Sequence, residues 1–162
     1  MTAYDLQVSL AAEVERITKD MLFQTPTGEQ ERLKAFLQCL PERPVGLIGE
    51  GENEEDPYPY CIVRIDSGSI ATPLKSQEVK IILIFGIFDN SPGRNAHQAI
   101  LNIIQRIADR FTRDPLLDHK YRLNYEDGIN WVMDDEEPYP YYFGAMNLTW
   151  DTAWLRREDN YA

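Results

Sequence analysis

Carboxylates are the residues of this chain whose type and clustering could do chemistry. Glu50, Glu52, Glu54, Glu55 and Asp56 form one group, and Asp134, Asp135, Glu136 and Glu137 form a second. Paired carboxyls serve general acid–base catalysis when a rigid shell holds them and separates their pKa values. They bind divalent cations when the ligands are spread along a loop, as in an EF-hand. Here the acids are nearly consecutive, and the spacing from Glu50 to Asp56 does not fit that ligand pattern. Solvated acidic loops are the plainer reading; a small metal-dependent enzyme is the reading that would put them to chemical use. His97 and His119 stand alone, without an HxxxH, HExxH or CxxC context. There is no GxSxG, P-loop or GxGxxG, and Gly49-Glu50-Gly51 lacks the surroundings that cradle a phosphate. Cys39 and Cys61 are too few for a disulfide framework and read as reduced, buried and inert, in a chain folded in the cytoplasm. The sequence offers no catalytic residue, no metal ligand and no cofactor.

What the acids do supply is charge. The 162 residues carry a net charge of −11, and without those nine acids it would be −2. The bulk of the protein is nearly neutral and the charge sits in two places. Such a chain repels a phosphate backbone, which argues against sequence-specific DNA binding. Repulsion is useful where nucleic acid must slide past without sticking. Hydrophobic residues at 43% and aromatic residues at 11% fit one folded domain over residues 1–162, long enough to bury a core. No apolar run reaches membrane-spanning length, so no membrane partner is expected, and the first residues lack the basic and apolar regions of a signal peptide.

Both acidic groups lead into the same short motif. Glu55-Asp56-Pro57-Tyr58-Pro59-Tyr60 precedes a strand-like run from Cys61, and Glu136-Glu137-Pro138-Tyr139-Pro140-Tyr141 precedes another from Tyr142. Proline fixes its own φ, biases the residue before it towards extended backbone and lacks an N–H, so it suits a strand's entry or edge. The repeat reads as two strands entered in the same way. Tyr58, Tyr60, Tyr139 and Tyr141 either pack at sheet ends or form part of a subunit interface, where tyrosine and tryptophan are enriched. Trp150 and Trp154 divide similarly, one for the core and one for a neighbour.

The elements that position these motifs follow from periodicity. Leu6, Leu10, Val14, Ile17 and Met21 predict an amphipathic helix over 5–21. Thr27 and Gln30 have capping-box spacing, which predicts a second, short helix through Leu33, Phe36, Leu37 and Leu40, ended by Pro41 and Pro44. Residues 1–44 thus read as a helical region and 45–56 as a mobile acidic linker. An α+β core over 57–155 follows, then a polar tail over 156–162. Strands are expected at 60–66, with a Ser67-Gly68-Ser69 turn, and at 78–89. The second of these is apolar on both faces from Ile81 to Phe88 and holds Gly86, a mark of a bulge or a close backbone approach. Ala96, Ile100, Ile103, Ile104, Ile107 and Phe111 make one face of a helix over 94–112. Weaker strands at 121–125 and 129–133 flank Asp127-Gly128, a hairpin signal, and a last strand covers 142–152. Strands and helices do not alternate regularly, which predicts an α+β fold: a mostly antiparallel sheet with helices on one face.

At this point the residues resemble a known family. Glu136-Glu137-Pro138-Tyr139-Pro140-Tyr141-Tyr142-Phe143-Gly144, then Met146-Asn147-Leu148-Thr149-Trp150, closing on Leu155-Arg156-Arg157-Glu158, is similar to the C-terminal signature of tail terminator (tail completion) proteins of phages and prophages of Gram-positive bacteria. The Asp56-to-Tyr60 strand entry, the strand ending Gly86-Ile87-Phe88-Asp89 and the helix around Ala99-Ile100-Leu101 agree, so the resemblance covers about residues 57–158. It implies a virion structural protein rather than an enzyme: a subunit that assembles in the host cytoplasm into a homohexameric ring. The ring would cap the tail tube protein, meet the head–tail connector protein and let DNA pass without specific binding. Another connector or a tail-sheath or tube adaptor of similar fold is the nearest alternative. On this reading the two acidic loops, the four tyrosines, Trp150 and Trp154 line the pore or the subunit contacts.

Overall fold

The computed structural model describes residues 2–41, 57–93, 96–134 and 139–152. The linker 45–56, its neighbours 42–44, residues 135–138 and the tail from 153 onward, Trp154 included, lie outside the described residues.

Helix α1 covers Ala3–Ile17 and starts where Thr2 and Asp5 cap each other reciprocally, the Thr2 hydroxyl accepting from the Asp5 N–H and the Asp5 carboxylate accepting from the Thr2 N–H. Its stripe of Leu6, Leu10 and Val14 is fully buried. A two-strand hairpin follows, β1 (Phe23–Gln24) against β2 (Gln30–Glu31). Then come β3 (Lys34–Leu37), β4 (Tyr60–Ser69), β5 (Glu78–Phe88), helix α2 (Ala96–Arg113), β6 (Leu116–Leu117), β7 (Tyr121–Leu123), β8 (Asn130–Met133) and β9 (Tyr141–Thr152). Seven of these strands form one sheet in the order β3-β4-β5-β9-β7-β6, with β8 also paired to β9. All pairings in it are antiparallel except β3 with β4. The fold is α+β, with a mostly antiparallel curled sheet and two long helices.

Alternation along β5 explains the layering. Val79, Ile81, Leu83, Phe85 and Ile87 are buried in one cluster with Leu6, Leu10 and Val14 of α1 and with Ile100, Ile103, Ile104, Ile107 and Phe111 of α2. Both helices therefore cover the same face of the sheet. Each large aliphatic side chain buried there contributes about 1.5–3 kcal/mol, more than any difference in local propensity. The two helices are tied at their rim by Glu13, whose carboxylate accepts from Arg16 in the same helix and from Arg110 Nε of α2 at 2.9 Å.

Three sequence expectations are corrected here. The second helix at 33–40 does not form; β3 lies there instead, paired in parallel with Tyr60–Val63. Leu33, Phe36, Leu37 and Leu40 support either period, and the open edge of β4 decides the matter. Thr27 and Gln30 belong to the β1–β2 hairpin, whose turn contains Gly28 at φ +88°. Asp127-Gly128 does not make a hairpin. The segments β7 and β8 both pair with the same edge of β9, Leu123 opposite Trp150 and Asn130 opposite Asn147, so they form one interrupted strand. Between them Thr149 is buried, its carbonyl accepting from Asn124 N at 2.8 Å and its hydroxyl lying 3.3 Å from the Asp127 carboxylate.

Candidate functional site: the tyrosine pole

The two Pro-Tyr-Pro-Tyr motifs, some 80 residues apart in sequence, meet at one end of the sheet. Strand β4 enters on one side of β5 and β9 on the other, with Tyr60 opposite Gly86 and Gly86 opposite Phe143. Both motifs contain a cis peptide bond, Tyr58-Pro59 and Tyr139-Pro140. Both use the second proline in the same way. It donates nothing, but its carbonyl accepts from a neighbouring segment of the same chain: Pro59 O from Lys34 N at 3.3 Å, and Pro140 O from Asp89 N at 2.9 Å.

The tyrosines build a ring cluster on the face away from the helices. Tyr58 lies 5.1 Å from Tyr60 and 4.9 Å from Tyr141 between centroids, and Tyr141 packs edge-on to Phe88 at 5.5 Å. Phe143 closes the group at 6.3 Å from Tyr58. Gly86 makes this possible. A Cβ at that position would stand 2.3 Å from the Tyr60 ring, far inside van der Waals contact. The close approach expected at Gly86 is the contact with Tyr60. Tyr139 turns outward, and its hydroxyl donates to Asn90 O at 2.7 Å. Asn90 in turn exchanges two hydrogen bonds with the Gln24 amide, which holds the β1–β2 hairpin against this end.

Of the candidate residues, Tyr58 and Tyr141 are half-buried and Tyr139 is exposed, so these three offer surface to a partner. Tyr60 is buried and supports them from below. Trp150 is wholly buried under α2, edge-on to Phe111 at 4.9 Å, so it is a core residue and neither lines a pore nor touches a neighbour. Asp134 is exposed at the end of β8, and its N–H donates to Phe143 O at 3.1 Å. Glu50, Glu52, Glu54, Glu55, Asp56, Asp135, Glu136, Glu137 and Trp154 lie outside the described residues. The described residues that follow the two acidic runs in sequence, Pro57 and Tyr139, belong to the motifs that meet at this pole.

Burial, with Tyr58 beside it, pushes the Tyr60 phenol well above its ordinary range. Burial also pushes up the Cys61 thiol, which is enclosed as expected, whereas Cys39 is exposed and corrects the expectation that both are buried. His97 and His119 are exposed. Among the described residues no three His, Cys, Asp or Glu side chains come together as a group that could hold a metal ion, and no helix is long and apolar enough to cross a membrane. The pole presents aromatic area, phenolic hydroxyls and nearby negative charge, which are the materials of a protein contact. Sequence reasoning passed over Phe88 and Phe143 as members. Period-two alternation signals them, since both share a face with Gly86. No protein-family model and no curated protein matches the chain.

Proposed function

We propose that the protein is a structural subunit of a phage or prophage particle, a tail terminator that closes into a homohexameric ring. The ring caps the tail tube and faces the head–tail connector in the virion. The observation that carries this reading is the convergence at one pole of the two Pro-Tyr-Pro-Tyr motifs, each preceded in sequence by an acidic run in a chain that is otherwise nearly neutral. A pore wall of that charge repels the phosphate backbone and lets DNA traverse without adhesion. The α+β sheet with helices on one face leaves its other face and its edges for contacts between copies. Function on this reading needs interface burial and no bond-making step. Negative-stain electron microscopy of the purified protein tests it. Ring particles with a central channel are expected, and a strict monomer at high concentration, with or without tube protein, would overturn it.

A further inference from the structure

We infer that the loop at the tip of the β4–β5 hairpin, residues 70–77, docks on the open sheet face of a second copy of this chain; the inference rests on the ring reading above. Among the described residues, two exposed apolar surfaces bear on this contact. One is the tip, where Ile70 is 64% and Leu74 79% exposed. The other is a row of four side chains that crosses the sheet on the face away from the helices. Ile62 of β4 stands opposite Ile84 of β5, Ile84 opposite Ala145 of β9, and Ala145 opposite Val132 of β8. The first three are half-buried and Val132 is 60% exposed. The helices cannot cover this row, because its sequence neighbours Cys61, Val63, Leu83, Phe85 and Met146 already face them.

One copy cannot satisfy itself. The hairpin leaves the sheet where Ser69 pairs with Glu78, six residues along β5 from Ile84, or about 20 Å at the rise of a strand. Leu74 therefore remains solvated in the single chain. Charge favours the same pairing between copies. Residues 67–77 carry one charged side chain, Lys75, next to Leu74. On the row, Val132 lies two residues before the exposed Asp134. Seating Leu74 on Val132 brings a cation to an acid while both lose apolar surface to water. A knob at one end of a subunit and a socket elsewhere on it make a head-to-tail contact, which closes into a ring when the rotation per copy divides the circle. Tip-to-tip pairing would stop at a dimer.

The test is disulfide trapping in a Cys39→Ser background, which leaves the buried Cys61 alone. Leu74→Cys combined with Val132→Cys should give a ladder of covalent dimers, trimers and higher species under mild oxidation, with neither single variant doing so. Leu74→Asp should weaken self-association at least tenfold by light scattering and leave the thermal melt of the dilute single copy unchanged, since the side chain is 79% exposed there. Dimers from Leu74→Cys alone, or no ladder from the pair, overturn the docking. Rings in micrographs without a ladder sink this contact and leave the ring reading standing. A ladder without closed rings does the reverse, and the absence of both removes the two together.

Discussion

Gly86 holds the tyrosine pole together because a side chain there has nowhere to go. The atoms a Cβ would meet belong to a ring, not to the free end of a flexible chain, and that ring is wedged between Tyr58 and the sheet. Gly86→Ala should therefore cost about 1–3 kcal/mol in urea unfolding, the range for forcing extra volume into a packed site. Tyr60→Leu should cost a comparable amount by lost burial. The double variant should lose less than the two added together, because the smaller side chain makes room for the methyl. Strict additivity would mean that the ring does not rest on Gly86. At neighbouring positions the same logic separates support from surface. Tyr141 should tolerate phenylalanine with little change in stability, whereas Tyr139→Phe should cost about 0.5–1.5 kcal/mol by losing the hydrogen bond to Asn90 O.

Strand β3 ends in a device that no periodicity announces. Gln38 has a left-handed backbone at φ +69°, which turns the chain away from β4, yet its side-chain amide takes over the pairing. Its Oε1 accepts from Ile65 N at 3.0 Å and its Nε2 donates to Ile65 O at 3.2 Å, as the next strand residue would have done. Buried Gln7 reaches the same place from α1, donating to Val63 O at 2.7 Å and to Gln38 Oε1 at 3.1 Å. Gln38→Ala should cost about 0.5–1.5 kcal/mol and speed hydrogen exchange at the Ile65 amide more than at Val63. Between the helices, Glu13 is held below its ordinary pKa of 4.5 by hydrogen bonds from Arg16 first and Arg110 second, against the opposing pull of burial. A lowered folded pKa means stability that is complete above the unfolded value and is lost as pH falls through the folded one. The urea midpoint should thus begin to drop below pH 4.5, and Glu13→Gln should flatten that part of the profile. Much at this scale was legible in the sequence. α2 and β5 are long and strongly patterned, so their existence, type and buried faces follow from spacing. The short segments were not legible, because tertiary pairing chose between equal local options. The edge of β4 made a strand of 34–37, and the edge of β9 drew β7 and β8 into one line despite an Asp-Gly that favours a hairpin elsewhere. Trp150 was ambiguous for a related reason: an aromatic near the end of a strand looks alike in core and interface until the helix that covers it is placed.

The whole chain is lopsided in charge along its sequence, and on the proposed ring reading that bears on how copies would meet. Nine of its 27 acids lie in two runs that lead into one pole, and those runs contain no Lys or Arg. In the proposed ring the poles of successive copies would face a shared centre, so assembly would have to overcome mutual repulsion, while the proposed knob-and-row contact would be mainly apolar. Repulsion between solvated charges is screened over about 30 Å at 0.01 M salt but only about 8 Å at 0.15 M. Ring formation followed by light scattering should therefore strengthen as salt rises across that range. Replacing Glu50, Glu52, Glu54 and Glu55 by Gln should raise assembly at low salt and blunt the dependence, with little effect at high salt. The opposite trend, rings that loosen as salt is added, would mean that the acids meet a basic surface across the subunit boundary. They would then be glue between copies and not the lining of a channel, and the purpose assigned to them in letting DNA pass would be lost even if the ring itself survived.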